Sequence, residues 1–176
     1  KNPIFIVNKF NSYGIHPKKH IVLYGDPDDP WRTDGRFFWM FERFGFNKVT
    51  IYEGGLKNWK NSGEKLEFGQ GSALAKPLLT VKDIRLNDEV SAEQQWILER
   101  LNSKSLAIID NRTRDEYLGA MPYDSPRGGH IPNAVHIYWP DFFLPSGHMK
   151  SKTELLNILT RFNITYEKEV VVYCTG

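Results

Sequence analysis

One thiol, Cys174, follows directly on the apolar run Val170-Val171-Val172-Tyr173. A run of that kind predicts a strand covered on both faces. A thiol at the carboxyl end of a parallel strand stands where open α/β sheets collect their ligands. A helix following it would aim free N–H groups and a positive dipole end at the sulfur and favour the thiolate, the reactive form. The same sulfur could equally be a small, inert hydrophobe buried in a core. Residue type alone leaves both readings open. Thr175 and Gly176 come next, and glycine permits a tight loop that cradles an anion.

Two other groups could serve such a thiol. Asp110-Asn111-Arg112 closes the apolar run Leu106–Ile109. An acid and a base at a strand end pair and fix loop geometry, so a structural ion pair is expected there rather than direct catalysis. Arg127-Gly128-Gly129-His130-Ile131-Pro132 predicts a compact turn. Arg127 either binds an anionic substrate with its fork of donors or is a solvated loop arginine. His130 has the chemistry of an acid or base, but the expectation is that it hydrogen-bonds loop backbone and holds the turn. His16, His20, His136 and His148 show no paired spacing, so no metal site is expected. A single cysteine permits neither an intrachain disulfide nor a cysteine-built metal site.

The bulk of the chain sets the class. Hydrophobic residues make up 40% and charged residues 25% of the sequence, as in a soluble globular protein. Lys and Arg number 23 against 21 Asp and Glu, which gives no electrostatic case for nucleic acid or a membrane surface. No apolar run is long enough to cross a bilayer.

The elements that would position these residues alternate between strand and helix. Ile21–Leu23 predicts a strand, 26–30 a loop, Arg36–Phe44 a helix with a broad Phe and Met face, Val49–Tyr52 a strand, and Leu56 onward a short helix that stops near Gly63. That order indicates a parallel sheet flanked by helices. The pattern fades from Glu64 to Asn87, and 69–72 looks like linker. Ser91 opens a helix through Leu101. Then come a buried strand ending at Asp110, a polar loop over 111–129, a short strand over Ala134–Ile137, and an amphipathic stretch over Thr153–Phe162. Val170–Tyr173 is the last strand.

Part of the chain repeats. Residues 15–25, Ile-His-Pro-Lys-Lys-His-Ile-Val-Leu-Tyr-Gly, lie without a gap against 164–174, Ile-Thr-Tyr-Glu-Lys-Glu-Val-Val-Val-Tyr-Cys, at an offset of 149 (Ile15 to Ile164). Lys19 meets Lys168, Val22 meets Val171 and Tyr24 meets Tyr173, while upstream Asn8 meets Asn157 and Tyr13 meets Phe162. Short apolar strands resemble one another for packing reasons alone. The alternative is a tandem duplication, which puts Gly25 and Cys174 at one structural position. The chain is then expected to hold the back half of one domain and the front half of the next.

Together these residues resemble the rhodanese superfamily in its two-domain form, the thiosulfate and 3-mercaptopyruvate sulfurtransferases. The resemblance lies in 109–119, Ile-Asp-Asn-Arg-Thr-Arg-Asp-Glu-Tyr-Leu-Gly, in 127–135, Arg-Gly-Gly-His-Ile-Pro-Asn-Ala-Val, and in the strand before Cys174. Upstream, 39–45 and 53–59 are similar to the catalytically silent amino-terminal domain. The resemblance implies an α/β rhodanese-like fold in two tandem, incomplete domains: 1–66 silent, 67–87 linker, and 88–176 the front of the catalytic domain. It implies a sulfurtransferase that carries sulfur on Cys174 as a persulfide. The donor would be a small sulfur-bearing anion, thiosulfate or mercaptopyruvate, and the acceptor cyanide or a thiol. It implies no metal or organic cofactor, and a cytoplasmic or mitochondrial setting. Arg127 and Arg112 would bind substrate, the backbone of the loop opening with Thr175 and Gly176 would cradle its charge, and Asp110 and His130 would support the site. Position 116 is Glu where some members place a substrate-binding Arg, which leaves the choice of donor open.

Two other functions use a similar strand end: a cysteine phosphatase or arsenate reductase, and a non-catalytic interaction domain. The duplication speaks against the first and the presence of Cys174 against the second. A chain ending at Gly176 is expected to lack the helix that activates the thiolate and to be inactive and poorly stable.

Overall fold

The computed structural model of the chain describes residues 3–26, 28–29, 31–71, 78–120 and 126–175. It separates into two units, Lys1–Ser91 and Ala92–Gly176. Both are α/β, and every paired strand is parallel. Among the described residues no helix is long and apolar enough to cross a membrane.

Unit 1 runs α1 (Pro3–Ser12), β1 (Ile21–Leu23), α2 (Thr33–Arg43), β2 (Val49–Ile51) and α3 (Gly55–Asn61). β1 pairs with β2 in the register Ile21 to Val49. Phe10 of α1, Phe41 of α2 and Phe46 fill the core, with ring centroids 5.2–5.6 Å apart. Such aromatic contacts add to the area they bury. Helix α2 starts at Thr33, three residues before the predicted Arg36, because Asp29 caps it from a distance. The Asp29 carboxylate accepts from the N–H and hydroxyl of Thr33 and from the N–H of Trp31.

Part of the stretch read as linker packs on this unit. Leu79 is 2% exposed and lies in the aromatic core. Its N–H and carbonyl are both held by the Asn11 amide at 2.7 and 3.0 Å, and Asp88 pairs with Arg43 of α2. The short apolar stretch Leu78-Leu79-Thr80-Val81 carries no periodicity that would have shown which leucine is buried, and Leu78 is exposed.

Unit 2 runs α4 (Gln94–Arg100), β3 (Leu106–Asp110), α5 (Arg114–Leu118), β4 (Val135–His136), α6 (Lys152–Arg161) and β5 (Glu169–Tyr173). Its sheet has the order β4-β3-β5. All of β3 is buried, which is why its sequence is continuously apolar. Alternate residues serve opposite layers. Leu106 and Ile108 pack with Trp96, Ile97 and Leu101 of the α4 segment. Ala107 and Ile109 pack with Ile158 and Leu159 of α6. The predicted polar loop over 111–129 contains α5. Its signal is Thr113-x-x-Glu116, a capping box made in both directions, followed by Gly119 at φ 84.

The repeat holds in three dimensions. Helices α1 and α6 have both ends at the offset of 149 (Pro3 to Lys152, Ser12 to Arg161), and β1 falls on 170–172 inside β5. The turns after the helices match bond for bond. Ile15 N–H donates to Phe10 O at 2.9 Å, and Ile164 N–H donates to Leu159 O at 3.1 Å. Both turns need a left-handed residue, Gly14 at φ 65 and Asn163 at φ 55.

Leu79→Ala is expected to lower the stability of unit 1 by about 2–5 kcal/mol while leaving the amide protection of β3 unchanged. Thermal unfolding together with hydrogen exchange checks this. An unchanged melting temperature would detach residues 78–91 from unit 1.

Candidate active site

Cys174 is exposed and directly follows β5. Its position is set by the residue before it. The Tyr173 carbonyl accepts from Asn111 N–H at 3.2 Å, continuing the β3–β5 ladder. The Tyr173 hydroxyl donates to Asp110 Oδ2 at 2.7 Å and accepts from Ile131 N–H at 3.1 Å. One side chain thus joins the strand end, the buried acid and the turn over 127–132.

Asp110 is 0% exposed. It accepts from Arg112 through the backbone N–H at 3.0 Å, Nε at 2.9 Å and Nη2 at 2.6 Å. Burial pushes the Asp110 carboxyl up, but the hydrogen bonds from Arg112 and Tyr173 outweigh it and hold the group below the ordinary carboxylate range. Arg112 is held charged first by its hydrogen bond to Asp110. Burial and the bond to Asp110 push the Tyr173 phenol up to about 12, so it stays a neutral donor. Arg112 Nη2 also donates to Gly129 O at 2.8 Å. Most of the Arg112 fork therefore serves the protein itself.

The turn is fixed on its other side by close backbone contact. A Cβ at Gly128 would lie 2.5 Å from Gly119 O, so only glycine lets the turn dock on the end of α5. His130 stacks on Tyr117 at 3.7 Å, and its Nδ1 donates to Tyr117 O at 2.8 Å. The Tyr117 hydroxyl donates to Ala134 O at 3.0 Å. His136 Nε2 donates to Arg112 O at 2.9 Å. Arg127 lies exposed at the start of the turn.

On the far side of the thiol, the Thr175 hydroxyl donates to Glu116 Oε1 at 2.6 Å. Glu116 is 8% exposed. Burial raises its carboxyl, and the bonds from Thr175 and Thr113 overcome this and hold it low. Gly176 lies outside the described residues. The structure thus brings Cys174, Thr175, Asp110, Arg112 and the turn into one cluster. Sequence reasoning missed Tyr173 and gave Glu116 no role. A tyrosine ending an apolar strand was the available signal for the first, since a buried phenol needs a partner.

At the matched position in unit 1, Gly25 carries no side chain. A Cβ there would meet the Asp34 side chain at 3.5 Å. The Asp34 carboxylate is itself held by Arg32 Nε and Gly35 N–H.

Asp110→Asn tests the central pair. The Asp110 carboxyl lies below its unfolded value, near 3.9. Its pairing therefore stabilises the fold above that value, and the contribution is lost as pH falls through the folded value. The variant is expected to lose about 3–5 kcal/mol at neutral pH and to show a shallower fall in melting temperature below about pH 4. Parallel acid limbs would contradict the account. Gly128→Ala is expected to destabilise unit 2 by about 1–3 kcal/mol, read by thermal unfolding.

Comparison with known proteins gives the family and the fold. The sequence model of the rhodanese-like domain matches residues 5–62 and again 93–176. Thiosulfate sulfurtransferase of Azotobacter vinelandii is 31% identical over 165 residues, covering 94% of this chain and 58% of that protein. The 3-mercaptopyruvate sulfurtransferase of Mus musculus is 27% identical over 165 residues, covering 93% and 54%. The crystal structure of SseA from Escherichia coli, described with the fold and mechanism of 3-mercaptopyruvate sulfotransferases, superimposes with a TM-score of 0.79 at 27% identity and covers 97% of this chain and 62% of that one. The chain spans little more than half the length of these curated relatives. Matched twice along its length and built on the parallel α/β sheet of that fold, this chain belongs to the rhodanese-like domain family.

Proposed function

We propose that the chain is sulfurtransferase machinery in which unit 2 carries the sulfur and unit 1 is catalytically silent. In these terms residues 1–66 form the silent rhodanese-like region and 88–176 the front of the catalytic one. The observation that carries the reading is the exposed Cys174, held at a strand end beside the turn that begins at Arg127. The names of the relatives support the same chemistry.

The reaction divides into two displacements. The Cys174 thiolate attacks the outer sulfur of thiosulfate. A new S–S bond forms, the old one breaks, and sulfite leaves with the electron pair. With 3-mercaptopyruvate, the thiolate takes the sulfur as the C–S bond breaks, and the departing pyruvate enolate takes a proton from water. Cyanide or a thiolate then attacks the outer sulfur of the persulfide, and the Cys174 thiolate returns. Arg127, with its planar fork of donors, is the side chain suited to an anionic donor. Arg112 acts chiefly by holding Asp110 and Gly129, and the backbone after Cys174 receives the charge, with Thr175 and Gly176 its first residues.

Mass spectrometry of a protein that continues past Gly176, after treatment with thiosulfate or 3-mercaptopyruvate, is expected to find one added sulfur atom on Cys174, released as thiocyanate by cyanide. Cys174→Ser is expected to take none. Wild-type protein that stays unmodified with both donors would overturn the reading.

A further inference from the structure

Cys174 is bracketed by two hydroxyls, each bound to a buried carboxylate on one short segment. Before it, Tyr173 donates to Asp110, and after it, Thr175 donates to Glu116. The second contact has no part in the chemistry described above. Glu116 Oε1 takes the Thr175 proton, while Oε2 accepts from the hydroxyl and N–H of Thr113 at 2.7 and 3.1 Å. Both oxygens are thus committed, as a carboxylate 8% exposed requires. A threonine hydroxyl has one proton, and here it goes to Glu116. It is not available to the sulfur.

We propose that Glu116 and Thr175 form a latch that positions the nucleophile loop, fixing Cys174 from its carboxyl side as Tyr173 does from its amino side. Both are positioning residues. Neither touches the reacting sulfur through these bonds. The latch ties the loop to the first turn of α5, whose end carries the Gly119–Gly128 contact. A loop held at one end only would leave the thiol free to swing, and small misplacements of a reacting atom cost large factors in rate. The proposal rests on the sulfurtransferase reading for its functional consequence, though not for the contact itself.

Thr175 is exposed, so its replacement spares the core. Thr175→Val removes the donor at nearly constant shape, and Thr175→Ser restores it. Two measurements on the full chain decide the matter. Amide exchange at 174–175 is expected to speed up about tenfold in Thr175→Val and to return to the wild-type rate in Thr175→Ser. The maximal rate of persulfide formation with thiosulfate is expected to fall about tenfold in Thr175→Val, with half-saturating thiosulfate unchanged, and to recover in Thr175→Ser. Unchanged exchange in Thr175→Val would overturn the latch. Faster exchange with an unchanged rate of sulfur uptake would overturn its positioning role. Wild-type protein that takes up no sulfur would defeat the sulfurtransferase reading, and the exchange data would still decide whether the latch exists.

Discussion

The bond from the Tyr173 hydroxyl to the Asp110 carboxylate is the contact on which the rest of unit 2 depends. Asp110 is charged and fully buried, a state that is tolerable only when its oxygens are answered by donors. Arg112 supplies most of them, and in doing so its guanidinium is turned toward Gly129. Tyr173 supplies another and takes the Ile131 N–H in exchange. Three segments distant in sequence are therefore held by one carboxylate. Replacing any of them leaves a charge or a polar group buried without its partner.

The duplication shows what this arrangement adds to a common frame. Helix, left-handed turn and strand are the same in both units to the level of individual backbone hydrogen bonds. At the strand end they diverge. Unit 2 has a thiol with anchored neighbours. Unit 1 has a glycine, an exposed Tyr24 and a carboxylate, Asp34, close to where a side chain would stand. An anionic group at that place suits neither a thiolate nor an anionic donor.

Much of this was legible in the sequence for identifiable reasons. Leu106–Ile109 stood out because a buried parallel strand is continuously apolar, whereas the equally apolar run before Cys174, expected to be covered on both faces, leaves Val170 and Val172 exposed. The pairing of Asp110 with Arg112 followed from their spacing at a strand end. The repeat showed without any structure because its copies align without a gap. Other features depend on distant partners. Nothing local to Leu79 announces that Asn11 will hold it, and nothing local to Asp29 announces a cap for α2. For Arg112 the residues alone gave a structural pair and the resemblance gave a substrate role; its bond to Gly129 O, seventeen residues away, had no local signal. Helix α5 was legible and overlooked, since Thr113 and Glu116 carry its capping signal.

The complete burial of β3 has a consequence for how motion is distributed around the thiol. The strand is paired on both edges, by β4 and β5, and Tyr173 is stitched to it through backbone and side chain alike. Local stability is not uniform in folded proteins, and Tyr173 is the last residue of β5 tied to buried β3. Cys174 follows it, with Tyr173 bonded to Asp110 on one side and Thr175 bonded to Glu116 on the other.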